Sequence, residues 1–398
     1  MSLSSEPHVA DDVAEENGEP YITSGTKRLK SQSQHADGKA LREEKHRKWL
    51  AKNERKCQME SDGNQRESWF QSNAHFASYV TLQDLERNDM DNTLATLLQP
   101  YRNIQDKKKC AQRYFIAEGT ETVRLLVQNQ HLKLHRRSNL PPVKLQSVFI
   151  KTTAFFENPV NLRKDVEEAI QASDTQQQQK TPFSVLIGSE DVQSKVVGFP
   201  FCRGALACGV VPDWSNDEDW LWNYLKSHPR FQHGTEHRLC RPPLRIVALD
   251  GVGDAANLGS VVRSASAFGM DAVILSPDSC DVWYRKSVRV SMGHLCRLPV
   301  VKVPSLPDTI HRLQEELDVV AYAAVVTKAT LVLENLKQGE VSAAWCCVIG
   351  NEGSGISKSV IEACRMKIKI GIDDGVDSLS VPVATGILLH GLKEREMR

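Results

Sequence analysis

The sequence predicts an α/β fold in two domains behind an unstructured extension, and three observations lead there. From Leu244 onward, short apolar runs alternate with amphipathic stretches, the pattern of a parallel sheet covered by helices. A similar, less regular alternation occupies residues 93–212. Residues 1–60 hold scattered Gly, Ser, Gln and charge with hardly any apolar periodicity, so they cannot bury enough surface to offset the entropy of ordering. A chain of 398 residues has room for this plan, because single cores commonly use ~100–200 residues.

Taken in order, residues 1–92 are assigned as a disordered, acidic-then-basic extension. Residues 1–20 carry six acids (Glu6, Asp11, Asp12, Glu15, Glu16, Glu19) and no Lys or Arg, whereas residues 27–56 carry eleven basic residues against four acids. Helix is expected within Lys39–Lys56, and the arm reads first as a solubilising face, with an RNA contact or a nuclear address as alternatives. From Trp69 to Asn92 the pattern is mixed. The compact part begins with Leu94, Leu97, Leu98 and Tyr101 at helical spacing, followed by the basic stretch Lys107 to Lys109 with Arg113. Tyr114 to Glu118 reads as a strand running into a helix over Thr120–Gln128. Strands at Gln146–Ile150 and Phe183–Ile187 bracket a helix at Val160–Ala172, the polar tract Gln176–Gln179 reads as an inserted loop, and Gly204–Val211 closes the block as a buried strand. Residues 213–243, rich in Trp, His, Arg and Pro, read as a linker or insertion.

The second domain, 244–398, has strand patterns at Leu244–Leu249, Ala272–Leu275, Leu298–Val303, Val319–Val326, Trp345–Ile349 and Met366–Ile372. Helical patterns separate them at Asn257–Phe268, Val282–Met292, Leu306–Leu317 and Ser357–Ala363, and a last one covers Leu379–Arg395. The strand Trp345–Ile349 meets the glycine-rich turn Gly350-Asn351-Glu352-Gly353-Ser354-Gly355, and Ser378-Leu379-Ser380 opens a small-residue helix with Pro382 in its first turn. Two strand ends and two loops therefore converge on one pocket. A pocket rimmed by main chain suits a ligand with many hydrogen-bonding edges and an apolar body, such as a nucleoside.

One motif points elsewhere. Gly251-Val252-Gly253-Asp254-Ala255-Ala256 fits the G-x-G-x-x-A turn of dinucleotide-binding folds, and Asp271 lies near the expected spacing for a ribose-binding acid. Asp271 precedes the second strand where that acid should end it, which counts against the reading. The next residues, Asn257-Leu258-Gly259-Ser260-Val261-Val262-Arg263, set two polar side chains in an otherwise small, apolar helix. Taken alone they read as a capping Asn and a surface Arg.

Together, NLGSVVR, VIGNEGSGIS and DSLSVPVATGILLH, in this order, resemble the three signature motifs of the SpoU (TrmH-type) RNA ribose 2′-O-methyltransferases of the SPOUT superfamily. FIAEGTETVRLL and RGALACGV are similar, less strongly, to elements of that family's L30e-like RNA-binding domain. The resemblance implies a parallel sheet with a C-terminal trefoil knot, a feature otherwise nearly absent from proteins, preceded by the L30e-like domain. It implies a homodimer, S-adenosyl-L-methionine as cofactor, and structured RNA (tRNA or rRNA) as substrate. By motif position, Gly350, Ile370, Leu379 and Ser378 would contact the cofactor, while Arg263, Asn257 and Glu352 would form the reaction side. One position departs: the third motif usually reads Ser-Leu-Asn, and here it is Ser378-Leu379-Ser380.

Methyl transfer from a sulfonium to a ribose hydroxyl needs both groups oriented and a proton removed. Arg263 is the family's candidate, but a guanidinium is effectively always protonated, so holding the neighbouring phosphate and the hydroxyl oxygen is the preferred role. Glu352 would orient Asn257 or Arg263 by charge-assisted bonding. The alternative is a non-catalytic RNA-binding or ribosome-assembly protein that keeps the fold, and a base methyltransferase is a third, weaker option.

Composition narrows the remaining classes. Lys+Arg and Asp+Glu each number 50, so no global attraction to nucleic acid or membrane follows from net charge. Ten cysteines form no C-x-x-C, which reads as reduced thiols in the core; no metal is expected. There is no apolar run long enough to span a bilayer, and the acidic start lacks the order of a signal peptide. Nucleus or cytoplasm is expected over an organelle.

Overall fold

A computed structural model describes residues 63–74, 77–86, 92–102, 104, 113–132, 140–157, 161–174, 183–232 and 242–397. The expected disorder of residues 1–60, the helix in 39–56, the basic stretch 107–109 and the polar tract 176–179 lie outside these residues. Among the described residues, strands form one sheet of five and one of seven, both within the unit Phe70–Arg398.

The first sheet contains β1 (Ala77–Val80), β2 (Tyr114–Glu118), β3 (Leu145–Lys151), β4 (Ser184–Gly188) and β5 (Ala205–Val210) in the order β1-β4-β3-β5-β2. β1, β4 and β3 run parallel, and β5 is antiparallel to both β3 and β2. Helix α1 (Asn92–Leu98) contributes Leu98 to a core with Tyr101, Phe149, Leu186 and Leu206. Helices α2 (Thr120–His131), α3 (Leu162–Asp174) and α4 (Glu190–Val197) complete the layer; Ser189 caps α4 by accepting from Val192 N, and Gly198 ends it at φ +83°. Tyr101 is fully buried and donates its hydroxyl proton to Ser147 O at 2.9 Å, which resolves the cost of burying that oxygen.

This sheet corrects the expected start of the domain at residue 93. β1 lies inside the stretch assigned to the extension, with Ala77 and Val80 buried and Ala77 paired with Val185. Four residues carry too little alternation to reveal a strand, and a non-local partner decides the matter.

The stretch from Asp213 is packed rather than loose. Asp217 caps α5 (Glu218–Lys226) by accepting from Trp220 N at 2.9 Å, and Leu221, Trp222 and Leu225 are buried. Across from it, Thr309 donates to Glu218 at 3.0 Å, Lys226 pairs with Glu316 at 2.7 Å, and Arg312 sits 4.1 Å from the Trp222 ring centre. Tyr224 donates its hydroxyl proton to Asp271 O at 3.2 Å.

The second sheet is parallel throughout, in the order β10-β12-β9-β11-β6-β7-β8. Its strands are β6 (Leu244–Leu249), β7 (Ala272–Leu275), β8 (Val300–Lys302), β9 (Val320–Ala324), β10 (Leu331–Val332), β11 (Ala344–Ile349) and β12 (Met366–Lys369). Every residue of β6, β7 and β11 is buried, as expected of strands covered on both faces. The covering helices are α6 (Ala255–Phe268), α7 (Arg285–Val290), α8 (Leu306–Glu316), α9 (Lys358–Ala363) and α10 (Val381–Arg395). α7 is shorter than the expected Val282–Met292, because Asp281 accepts from Trp283 N at 2.8 Å and holds that segment in a turn. Gly259 lets α6 and α7 close together: a Cβ there would fall 2.6 Å from Ser287 O.

At the end of α10, Glu396 is buried and bonds both Arg245 and the Trp345 indole N–H. Burial pushes the thiols of Cys208, Cys296, Cys347 and Cys364 up to about 12, so they stay protonated. No helix among the described residues is long and apolar enough to cross a membrane.

Candidate functional site

The carboxyl ends of β6, β9, β11 and β12 share one rim, where parallel α/β sheets place their ligands. At the end of β11 the chain turns back on itself at Gly350, where a Cβ would lie 2.2 Å from Gly355 C and Ile356 N; only glycine fits. Asn351 closes the loop by exchanging backbone hydrogen bonds with Gly355, each 3.0 Å. Its side-chain oxygen accepts from Gly353 N at 2.7 Å and Ser354 N at 3.1 Å, and its amide donates to Gly251 O at 2.6 Å. Asp250, just after β6, accepts from Ser357 N at 2.7 Å. The β11 loop is thus fastened to the β6 turn at two points.

Opposite this loop begins α6. Asp254 is its N-cap and accepts from Ala256 N at 2.7 Å and Asn257 N at 3.0 Å. Lys286, 2.9 Å away, and these N–H groups hold the Asp254 carboxyl below the usual carboxylate range. Asn257, in the first turn, donates from Nδ2 to Glu352 Oε1 at 2.6 Å. Glu352 is exposed, and Oε2 has no hydrogen-bond partner among the described residues.

The third wall comes from the segment after β12 and the start of α10. Ser380 occupies the N-cap position with extended backbone (φ −62°, ψ 146°) and accepts from Ala384 N through its carbonyl at 2.9 Å, but its hydroxyl makes no capping bond. Pro382 sits in the first turn, where a missing N–H costs nothing. These walls enclose a cleft of about 570 Å³, within the range of small-molecule sites. Val326, Ile349, Ile370, Ile372 and Leu379 give it apolar surface, and the 350–355 main chain gives it a polar rim.

Six of the seven residues expected at the site line this cleft: Gly350, Ile370, Leu379 and Ser378 with Asn257 and Glu352. Arg263 does not. It is exposed on α6, six residues beyond Asn257, or about 9 Å along a helix that runs away from the rim. Its charge is felt instead at His294, whose pKa is lowered first by burial and then by Arg297 and Arg263. Asp271 takes no part: it is buried at the start of β7, at the opposite end of the strand, and accepts from Arg245 N at 2.8 Å. Sequence reasoning missed Asn351, which builds the loop, and Asp377, which lines the cleft. An Asn two residues before a Gly at a strand end was the available signal for the first.

Comparison with known proteins fits this geometry. Residues 244–390 match the SpoU rRNA Methylase family. The 23S rRNA (guanosine(2553)-2′-O)-methyltransferase RlmP of Bacillus subtilis (strain 168) is 30% identical over 149 residues, covering 37% of this chain and 58% of that protein. The 23S rRNA (guanosine-2′-O-)-methyltransferase RlmB of Coxiella burnetii is 36% identical over 154 residues, covering 38% of this chain and 59% of that one. The matched part of this chain thus spans less than two thirds of either relative. An AdoMet-bound rRNA methyltransferase from Sinorhizobium meliloti shares the fold with a TM-score of 0.54 at 20% identity, over 80% of this chain and 97% of that one. Residues 244–390, which carry all three motifs and line the cleft, are thus the part of this chain that matches the SpoU rRNA Methylase family.

Proposed function

We propose that this protein is an S-adenosyl-L-methionine-dependent methyltransferase that methylates a ribose 2′-OH in structured RNA, tRNA or rRNA. The observation that carries the reading is the convergence of the three motifs on one cleft, closed by the Asn257–Glu352 bond. The cleft fits the cofactor: it offers main-chain donors and acceptors for an adenosine and apolar side chains for its body, and Gly350 is the turn without which the rim could not form. The cofactor supplies an electrophilic methyl on a sulfonium. The residues of this chain supply position. Gly350, Ile370, Ser378 and Leu379 would hold the cofactor, and Asn257 would fix Glu352 so that its free oxygen faces the hydroxyl whose proton must leave. Arg263, permanently charged and exposed, would hold RNA rather than take that proton.

Three finer points belong to the same reading. The segment from 373 to 380 would complete a trefoil knot, a topology supported by its approach to the 350–355 loop around the cleft. The five-stranded domain would be the L30e-like RNA-binding module. Two copies would form a homodimer, supported by the exposed Val383 and Ile387, one turn apart on α10.

The test is methyl transfer from labelled cofactor to bulk RNA by the full chain, followed by digestion to nucleosides. A 2′-O-methyl nucleoside is expected. Label on a base overturns the ribose assignment, and cofactor binding without any transfer leaves the non-catalytic alternative standing.

A further inference from the structure

At the junction of the two domains, one buried carboxylate faces three guanidinium groups. Glu118, the last residue of β2, is 2% exposed. It accepts from Arg289 at 2.5 Å and Arg285 at 3.3 Å, both on α7 of the other domain, and Arg203 Nε lies 4.0 Å away. One negative charge against three positive ones leaves a surplus of two. Guanidinium does not deprotonate in this setting, so the surplus persists, and holding it partly out of water is costly unless an anion offsets it.

The three arginines are open to such an anion while Glu118 is sealed: their side chains are 22% (Arg285), 33% (Arg289) and 51% (Arg203) exposed. A guanidinium has five N–H donors. Among the described residues, Arg285 and Arg289 each use one on Glu118 and bond no other acceptor. Helix α2 starts beside them, and its N-cap is Gly119 at φ +104°, which has no side chain to cap the first turn. Thr120 donates its hydroxyl proton to Arg203 O at 3.4 Å, tying that helix start to the loop carrying the arginine. The N-terminal end of this twelve-residue helix adds positive potential at the same place, offset in part by Glu121 in its first turn, which pairs with Arg124.

We propose that Arg203, Arg285 and Arg289 form a phosphodiester-binding site at the domain junction, taking a backbone phosphate of the substrate RNA, with Glu118 as a buried carboxylate beneath them that offsets only part of their charge. The proposal rests on the RNA reading above. Its position is linked to the cleft: Lys286, between the two α7 arginines, bonds Asp254, the cap of the helix that carries Asn257. An RNA gripped by α7 is therefore registered against the reaction side through a short bonded path. One domain contributes Arg203 and the other contributes Arg285 and Arg289, so the RNA would be read across both.

The experiment measures binding of the full chain to an RNA hairpin of unselected sequence over a salt series. Arg203→Gln should flatten the slope of log affinity against log salt by about 0.7–0.9. Removing Arg285 and Arg289 alone would strand Glu118, so the second variant is the neutral triple Glu118→Gln, Arg285→Gln, Arg289→Gln, expected to flatten it further. Glu118→Gln alone sets the sign. A phosphate site predicts RNA bound as tightly as before or more so, because the surplus charge rises; a purely structural latch predicts weaker binding together with a lower Tm, and that result overturns the proposal. Unchanged slopes in Arg203→Gln and the triple, with wild type binding and methylating RNA, overturn it while sparing the proposed activity. A wild type that neither binds nor methylates RNA overturns both.

Discussion

Asn257 and Glu352 stand 95 positions apart in the chain, and their side chains meet at 2.6 Å across the mouth of the cleft. Neither would be in place without a second polar residue behind it: Asp254 fixes the start of Asn257's helix, and Asn351 fixes the loop of Glu352. The pair therefore acts as one unit. Glu352→Ala and Asn257→Ala should each lower kcat about 100-fold, roughly 2.7 kcal/mol of barrier, with cofactor affinity nearly unchanged. The double variant should lose little more than the worse single one. Independent, multiplying losses in steady-state kinetics would show that the two act separately.

Arg263→Ala should abolish methyl transfer while leaving cofactor affinity intact, since Arg263 lies outside the cleft of its own chain. Calorimetric titration with cofactor and a turnover assay are both required. Activity within about tenfold of wild type, roughly 1.4 kcal/mol, removes Arg263 from the reaction side.

Gly350→Ala should open the β11 loop, because its Cβ would meet backbone atoms 2.2 Å away. Cofactor affinity should fall more than tenfold. Gly353→Ala, three residues on in the same loop, meets nothing nearer than 3.5 Å and should bind cofactor within about threefold of wild type. Equal effects from the two substitutions would mean that the turn at Gly350 is not what shapes the site.

Ser380→Asn tests the position where the third motif departs from its family. The serine hydroxyl makes no capping bond although it lines the cleft, whereas an asparagine would offer an acceptor and two donors with longer reach. Activity should be unchanged or higher. Loss of activity with the fold intact would give the hydroxyl a substrate role of its own.

A chain lacking residues 1–92 should melt lower than one lacking 1–62. The longer deletion removes β1, with its buried Ala77 and Val80, and bares the edge of β4. A cost of about 2 kcal/mol corresponds to roughly 4–8 °C in Tm. Equal melting temperatures would mean that β1 adds nothing to the sheet.

What the sequence made legible follows from burial. β6 and β7 match their expected limits to the residue, because runs broken only by Arg245 and flanked by Pro243 and Asp250 in one case and by Asp271 and Ser276 in the other leave little choice. The β11 loop was legible from its glycines. Where contacts are non-local, periodicity carries no signal: β1 depends on β4 more than a hundred residues later, and the arginines of α7 find Glu118 167 and 171 positions away. Arg263 shows a third kind of limit. Helical spacing gave its face but not its height, and height decides which side chains of α6 reach the rim.

The strand order has a consequence for how this protein is made. β6 lies between β7 and β11, and its register pairs Leu244 with Ala344. During translation, a strand that is apolar apart from Arg245 therefore emerges about a hundred residues ahead of one of its two neighbours. At ~5–20 residues per second, that edge waits roughly 5–20 s, able to pair with any strand at hand. Slow elongation lengthens the wait, and chaperone capture of the nascent chain between residues 249 and 344 is where its yield would be decided.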